Sequence, residues 1–167
     1  MATLTSNKNY LQPTGFKVVI NREDYPNLEY FAQAVTHPGA SVPPTELPVR
    51  RVASIPLAGD KINYGELSVS MILDEDLVAY KEMQSWLERT VNAGQVSSRQ
   101  ALQSNQLPTY SDITVSILTS HNNENVKIRY NDCIPTNIGS IELSATTNDV
   151  SYLTFEATFR FSTFVIN

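Results

Sequence analysis

The sequence predicts a mainly β protein, with two packed antiparallel sheets forming a barrel or sandwich, one flanking α-helix and a long projecting arm. Three observations predict it. Short segments of alternating apolar and polar residues recur along most of the 167-residue chain. A single stretch, about residues 75–92, switches to helical spacing. Between the early strands and that helix, residues 37–64 carry five of the nine prolines (Pro38, Pro43, Pro44, Pro48 and Pro56) and fit neither pattern.

Taken in order, residues 1–14 form a polar N-terminal arm whose main apolar groups are Leu4, Tyr10 and Leu11. Residues 16–20 (FKVVI) make a strand, 22–27 a turn built on Pro26 and Asn27, and 28–36 a second strand with imperfect alternation, for which a helix is the alternative. Proline removes a ladder donor and fixes φ, so residues 37–57 are not a central strand throughout. They are expected to be extended, pairing where residues 49–55 allow, with Ala58-Gly59-Asp60 as the tip and residues 61–64 returning. Val42, Leu47, Val52, Ile55, Leu57, Ile62 and Tyr64 punctuate this arm and await a partner surface. In an isolated subunit much of it is expected to be mobile, since ordering each backbone residue costs ~1–2 kcal/mol.

Leu67, Val69, Met71 and Leu73 alternate with Ser68, Ser70 and Ile72, which specifies a strand. Asp74 then serves as helix N-cap, with Glu75 and Asp76 favouring the positive end of the dipole and Gly94 closing the helix. Leu77, Tyr80, Met83, Leu87 and Val91 form the expected core face. Trp86 lies on its flank, and Glu82, Ser85, Glu88 and Arg89 point away. Residues 95–112 are a polar Ser- and Gln-rich loop with room for a helical turn near 99–103. Residues 113–117 and 126–130 make the clearest hairpin, joined through 121–125. Residues 133–139 are expected to be a loop, 141–145 a strand and 147–149 a turn. The last strand, 152–166, points Leu153, Phe155, Ala157, Phe159 and Phe161 one way, and ends in Phe164, Val165 and Ile166.

The length suits one domain over residues 1–167 with a sizeable core. No apolar run approaches the ~20 residues of a membrane helix, and no signal peptide is visible, so the chain is expected to be made and used in a cytoplasm without membrane insertion. The net charge of −5 argues against a protein that grips nucleic-acid phosphates broadly.

Catalytic and metal chemistry find no constellation. His37 and His121 fall in separate turns as solvated loop residues. Cys133 excludes an internal disulfide and a multi-cysteine zinc site, and fits a buried small hydrophobe. Asp74-Glu75-Asp76 lacks calcium-loop spacing and fits helix capping. Arg50-Arg51 fits a solvated arm, and Gly59, Gly65 and Gly94 are isolated turn glycines rather than a phosphate loop. No catalytic residue, metal or cofactor is expected. The apolar arm, the long terminal strand and the sheet edges instead call for cover, which self-assembly provides.

The order LPVRRVASIPLAGDKINYGELSVSMILDED, then a helix bearing Trp86, then CIPTNIGSIEL, then an alternating C-terminal strand resembles the tail tube proteins of contractile-tailed bacteriophages. The specific parts are the Pro…Ala-Gly-Asp-Lys arm, the Val-x-x-x-x-Asp-Glu-Asp step from strand to helix, and Pro135-Thr136-x-x-Gly139 before Ile141. The likeness covers about residues 15–165. It implies a structural, non-enzymatic virion tail component: hexameric rings stacked into a tube, a continuous inner β-barrel, and DNA only as passing cargo. It also implies sheath, baseplate and tail terminator partners, and assembly in the host cytoplasm. Val52, Ile55, Leu57, Asp60, Ile62, Tyr64, Phe164 and Ile166 are the expected contacts within and between rings. The tube of a type VI secretion-like injection machine and a baseplate tube-initiator ring share this reading. A monomeric sugar-binding β-sandwich is the alternative of a different class.

Overall fold

The computed structural model describes residues 11–21, 25–28, 32–48, 54–92, 109–144 and 152–167. Among them the elements run β1 (Phe16–Ile20), β2 (Ala32–Thr36), β3 (Ala40–Ser41), β4 (Thr45–Pro48), β5 (Ser54–Leu57), β6 (Asn63–Tyr64), β7 (Leu67–Ile72), α1 (Val78–Asn92), β8 (Ser111–Leu118), β9 (Glu124–Ile138), β10 (Thr154–Arg160) and β11 (Thr163–Ile166). The mainly β, antiparallel fold with one helix is as the alternation predicts.

Two sheets share β9. Its first half pairs with β8 and β11, and β8 pairs with β1; its second half pairs with β10, followed by β7 and β2. The sheets face each other over Val18, Ile20, Ile113, Val115, Ile128 and Tyr130 on one side and Leu67, Val69, Met71, Phe155, Ala157 and Phe159 on the other. The strict alternation of β7 therefore maps onto a buried row and a polar row, as a period of two requires.

The sheets part at a corner. Asp132 has φ of 53°, and the β8–β9 register jumps from Ile113↔Tyr130 to Ser111↔Cys133. The Asp132 N–H donates to the Asp112 carboxylate at 3.1 Å. Opposite, the Ser162 N–H donates to the Asn131 carbonyl at 3.1 Å, and the Ser162 hydroxyl donates to the Asp132 carboxylate at 2.7 Å. The chain thus changes sheets at Phe161-Ser162, so the expected single strand 152–166 is two strands, one in each sheet. Likewise residues 133–138, expected as a loop, continue β9. Pro135 is tolerated there because it lies beside a register shift, on a sheet edge. The expected strand at 141–145 does not form over residues 141–144, and residue 145 lies outside the described residues.

The helix is shorter at its start than expected. The Leu77 N–H donates to the Asp74 carbonyl at 3.1 Å, Leu77 turns to φ of 53°, and α1 begins at Val78. The Asp74 carboxylate caps from one turn out, accepting the Val78 N–H at 3.0 Å. The buried stripe is Ala79, Met83 and Trp86, at i, i+4 and i+7. Of the expected face only Met83 is fully buried; Leu77, Tyr80 and Leu87 are half-buried and Val91 is 64% exposed. Both stripes contain Met83. Large side chains favour the expected one, but distant partners choose the other. Trp86 stacks on Tyr25 with centroids 4.7 Å apart, and its indole N–H donates to the Thr109 carbonyl at 2.8 Å. For the same reason Glu82 and Arg89 do not simply face solvent: Asn27 donates to Glu82 at 2.5 Å, and Arg89 donates to the Tyr25 hydroxyl.

Candidate assembly surfaces

The arm is a paired ribbon. Ala40 pairs with Tyr64 and Ser41 with Asn63, and further out Thr45, Glu46, Leu47 and Pro48 pair with Leu57, Pro56, Ile55 and Ser54. The outermost described pair of the ribbon is Pro48 with Ser54. Ala58-Gly59-Asp60, expected as the tip, lies on the returning limb. A Cβ on Gly59 would meet the Pro43 carbonyl oxygen at 2.1 Å, so the two limbs touch there through glycine. Val52, Arg50-Arg51, Gly94, most of the N-terminal arm, the suggested turn at 99–103 and the turn at 147–149 lie outside the described residues.

Residues directly opposite in an antiparallel pair share a face, as do residues two apart on one strand. Leu47, Ile55, Leu57 and Thr45 therefore share one side of the ribbon, and Glu46, Ser54 and Pro56 the other. All three aliphatic side chains are exposed, as are Val42, Asp60 and Ile62.

The root of the arm is fixed by an aromatic cluster that the sequence did not reveal. His37, just before β3, meets Phe164 edge-on at 5.1 Å, and its Nδ1 lies 2.5 Å from the Tyr130 hydroxyl. Tyr64, on the returning limb, packs at 5.3 Å from Phe164 and 5.6 Å from Phe161. Thus His37 is held rather than freely solvated, whereas His121 stays in an exposed turn. Phe164 and Tyr64, expected as contacts between subunits, belong to this cluster within the subunit; Ile166 is exposed. The signal available in the sequence was that one aromatic residue flanks each limb of the arm.

The second sheet has one bare face. Ala79, Met83 and Trp86 of the helix join the first sheet on its apolar side, with Tyr80 edge-on to Phe155 and Trp86 against Phe159. The register puts Ala34 and Thr36 of β2, Ser68 and Ser70 of β7, Thr154, Glu156, Thr158 and Arg160 of β10 and Asn137 of β9 on the opposite side. Ser68 donates to Glu156, and the Thr136 and Thr158 hydroxyls lie 3.2 Å apart. Among the described residues, neither β2 nor the 134–138 half of β9 has a strand along its outer edge.

Reactive chemistry is weak. Burial pushes the Cys133 thiol up to about 12 and the Tyr130 phenol further still, so neither ionises near neutrality. The Arg129 guanidinium bonds the Asp112 carboxyl at 2.6 Å and holds it below the usual carboxylate range. A cleft of about 400 Å³ near this pair is lined by Val19, Tyr110, Ser111 and Asp132 among others. Among the described residues no group of three or more His, Cys, Asp or Glu is placed to hold a metal, and no helix is long and apolar enough to cross a membrane.

The family model described as phage tail tube protein matches residues 3–167. The chain belongs to the phage tail tube protein family. Its fold is similar to that of a chain in the sheath-tube complex of an extracellular contractile injection system, PVC, in the extended state. The TM-score is 0.66 at 16% identity, with 99% of each chain covered. It is also similar to a chain of the anti-feeding prophage cap, described as the AFP tube terminating cap, at TM-score 0.64 and 15% identity, again with 99% of each chain covered. A chain in the anti-feeding prophage baseplate gives a TM-score of 0.61 at 12% identity, covering 100% of this chain and 97% of that one. No curated protein matches the sequence. The family is that of tail tube proteins, as the order of arm, helix and CIPTNIGSIEL segment implied.

Proposed function

We propose that the protein is a non-enzymatic structural subunit of the inner tube of a contractile tail, built as one domain and assembling into hexameric rings that stack into a conduit for DNA. The observation that carries this reading is the second sheet: one face buried under the subunit's own elements, the other polar, and both edges without a neighbouring strand among the described residues. A four-stranded sheet of that kind closes without edges when β2 of one copy meets the 134–138 segment of the next around a ring. The hydroxyl-rich face then lines the lumen. Its described charges, Glu156 and Arg160, balance, so the wall offers passing phosphates no cationic track to hold them. No cofactor takes part. Sheath, baseplate and terminator are the partners, and the virion tail is the location after assembly in the host cytoplasm.

The mechanism is mechanical. The sheet edges close each ring, the arm joins ring to ring, and the helix stiffens the outer layer by filling the space between sheets. A second reading, the tube of an extracellular injection machine, is favoured by the likeness to the PVC tube complex over 99% of the chain. Genes for capsid and portal beside this one support the DNA conduit; toxin genes support the second reading. Electron microscopy and sedimentation of the purified protein test both. Rings or tubes at micromolar concentration are expected. A strictly monomeric species at every concentration and salt overturns the proposal and leaves the monomeric β-sandwich.

A further inference from the structure

Phe164 of β11 joins the two limbs of the arm at their base. Its ring meets His37, ahead of β3, at 5.1 Å with 86° between the planes, and Tyr64, in β6, at 5.3 Å with 67°. Among the described residues it is the one ring in contact with an aromatic side chain on each limb. His37 otherwise reaches Tyr130, and Tyr64 otherwise reaches Phe161. Edge-to-face pairs of this kind stabilise beyond the area they bury. The limbs share little else at this point. Ala40 pairs with Tyr64 and Ser41 with Asn63, and the Gly65 N–H donates to the Gly39 carbonyl at 2.9 Å. A two-stranded ribbon so short is marginal by itself.

The ring that closes the base sits on a lightly attached strand. β11 has four residues and, among the described residues, pairs with β9 alone. None of the fully buried core side chains belongs to it: Phe164 is half-buried, and Val165 and Ile166 are exposed. Lys127 and Asn167 exchange N–H to carbonyl bonds at 2.9 Å in each direction. By antiparallel alternation the backbone groups of Val165 also face β9, whereas those of Phe164 and Ile166 face away from the sheet. At the start of the strand the chain is pinned at Ser162, by its bonds to the Asn131 carbonyl and the Asp132 carboxylate. Local opening is drawn from segments with few buried contacts and few neighbours, and β11 is such a segment.

We infer that β11 is a strap hinged at Ser162 with Phe164 as its clasp: seated on β9 it closes the base of the arm, and lifted it lets the two limbs part while both sheets stay folded. The set of the arm is thus governed by a strand remote from it in sequence. The device lies within one subunit, so it stands or falls independently of the tube reading.

Amide hydrogen exchange, read by mass spectrometry at matched assembly state, tests the strap. Phe164→Ala should speed exchange of the segment 61–66 by about tenfold, as the ring contacts to both limbs are lost. Segments in β7 and β10 should stay within about twofold of wild type, as should every segment of Val165→Ala, whose side chain lies on the other face of the same strand. Unchanged exchange at 61–66 in Phe164→Ala overturns the inference. A uniform rise that includes β7 and β10 also overturns it, because Phe164 would then support the whole sandwich. A second variant reads the motion itself. Ile128 and Ile166 are directly opposite in a pair without mutual backbone bonds, the closer kind of pair. Ile128→Cys with Ile166→Cys, once oxidised, locks the strap down. Oxidation should slow exchange at 61–66 by about tenfold relative to the same protein reduced, because the open state is removed. Equal rates in the two forms would show that the limbs part without the strap lifting, and would overturn it.

Discussion

Replacing Met83 by alanine tests which stripe of α1 holds the sandwich together. Met83 is fully buried between Ala79 and Trp86 on the inner side of the second sheet. Truncating a methionine in such a place costs ~2–5 kcal/mol, from lost transfer energy plus the cavity left behind. With a urea dependence of ~2 kcal/mol per molar, the unfolding midpoint should fall by ~1–2.5 M. Trp86 is the single tryptophan and is stacked on Tyr25, so its fluorescence reports the melt. Protein concentration must be fixed across variants, because association adds to apparent stability. Val91→Ala, at an exposed site, should stay within about 0.5 kcal/mol of wild type. Leu87→Ala, half-buried, should lose ~1 kcal/mol. Glu82→Ala removes the acceptor of the Asn27 amide and should cost ~1–3 kcal/mol, although its sequence position suggests solvent. A Val91→Ala loss equal to that of Met83→Ala would refute the assigned stripe.

Gly59→Ala places a Cβ against the Pro43 carbonyl, so the two limbs of the arm must part. Tube formation should weaken while the Trp86-detected unfolding midpoint stays within about 0.5 kcal/mol of wild type, since the contact lies outside the core; unaltered tubes would show that the limbs yield freely. Cys133 should resist a thiol reagent at pH 8 in the native protein and react once urea unfolds it, and equal native and unfolded rates would contradict its burial. Because its folded value is raised from 9.0 to about 12, the stability it contributes is complete below pH 9 and is lost as pH rises toward 12, a fall that a Cys133→Ala variant should lack.

The strands that were legible in the sequence are those whose pattern is local. β1, β7 and the β8–β9 hairpin follow from alternation, because a residue's own neighbours decide which side it faces. The helix was legible in existence and C-terminal extent but not in phase. Its stripe depends on Tyr25 and Thr109, each more than 20 residues from Trp86 in the chain. The corner was not legible for the same reason. Asp132 and Ser162 meet across 30 residues, and nothing in the alternation of 152–166 marks the point where the chain leaves one sheet for the other. Among the expected contacts, Ile55, Leu57 and Ile62 are exposed. Tyr64 and Phe164 also pack within the subunit, in an aromatic cluster drawn from five separate positions that has no sequence period.

The arm and β7 pose a sharper question, since their side chains are equally apolar. Leu67, Val69 and Met71 are fully buried, while Leu47, Ile55 and Leu57 are exposed. Hydropathy cannot separate them; the number of neighbouring strands does. β7 has β10 and β2 on its two sides and a second layer over its apolar row. Among the described residues the β4–β5 ribbon has two strands and no layer above either face, and an isolated two-stranded hairpin is marginal in water. Pro48 and Pro56 further remove donors from its ladder, which limits growth into a wider sheet. A ribbon that cannot extend sideways, yet keeps an apolar face, can lower its free energy only by laying that face on another surface. The aromatic root at His37, Tyr64 and Phe164 orders the base in advance, so less entropy remains to be lost when the outer limb docks. On the proposed tube reading, a narrow proline-rich segment keeps an apolar face free that a wider sheet would let the subunit cover itself.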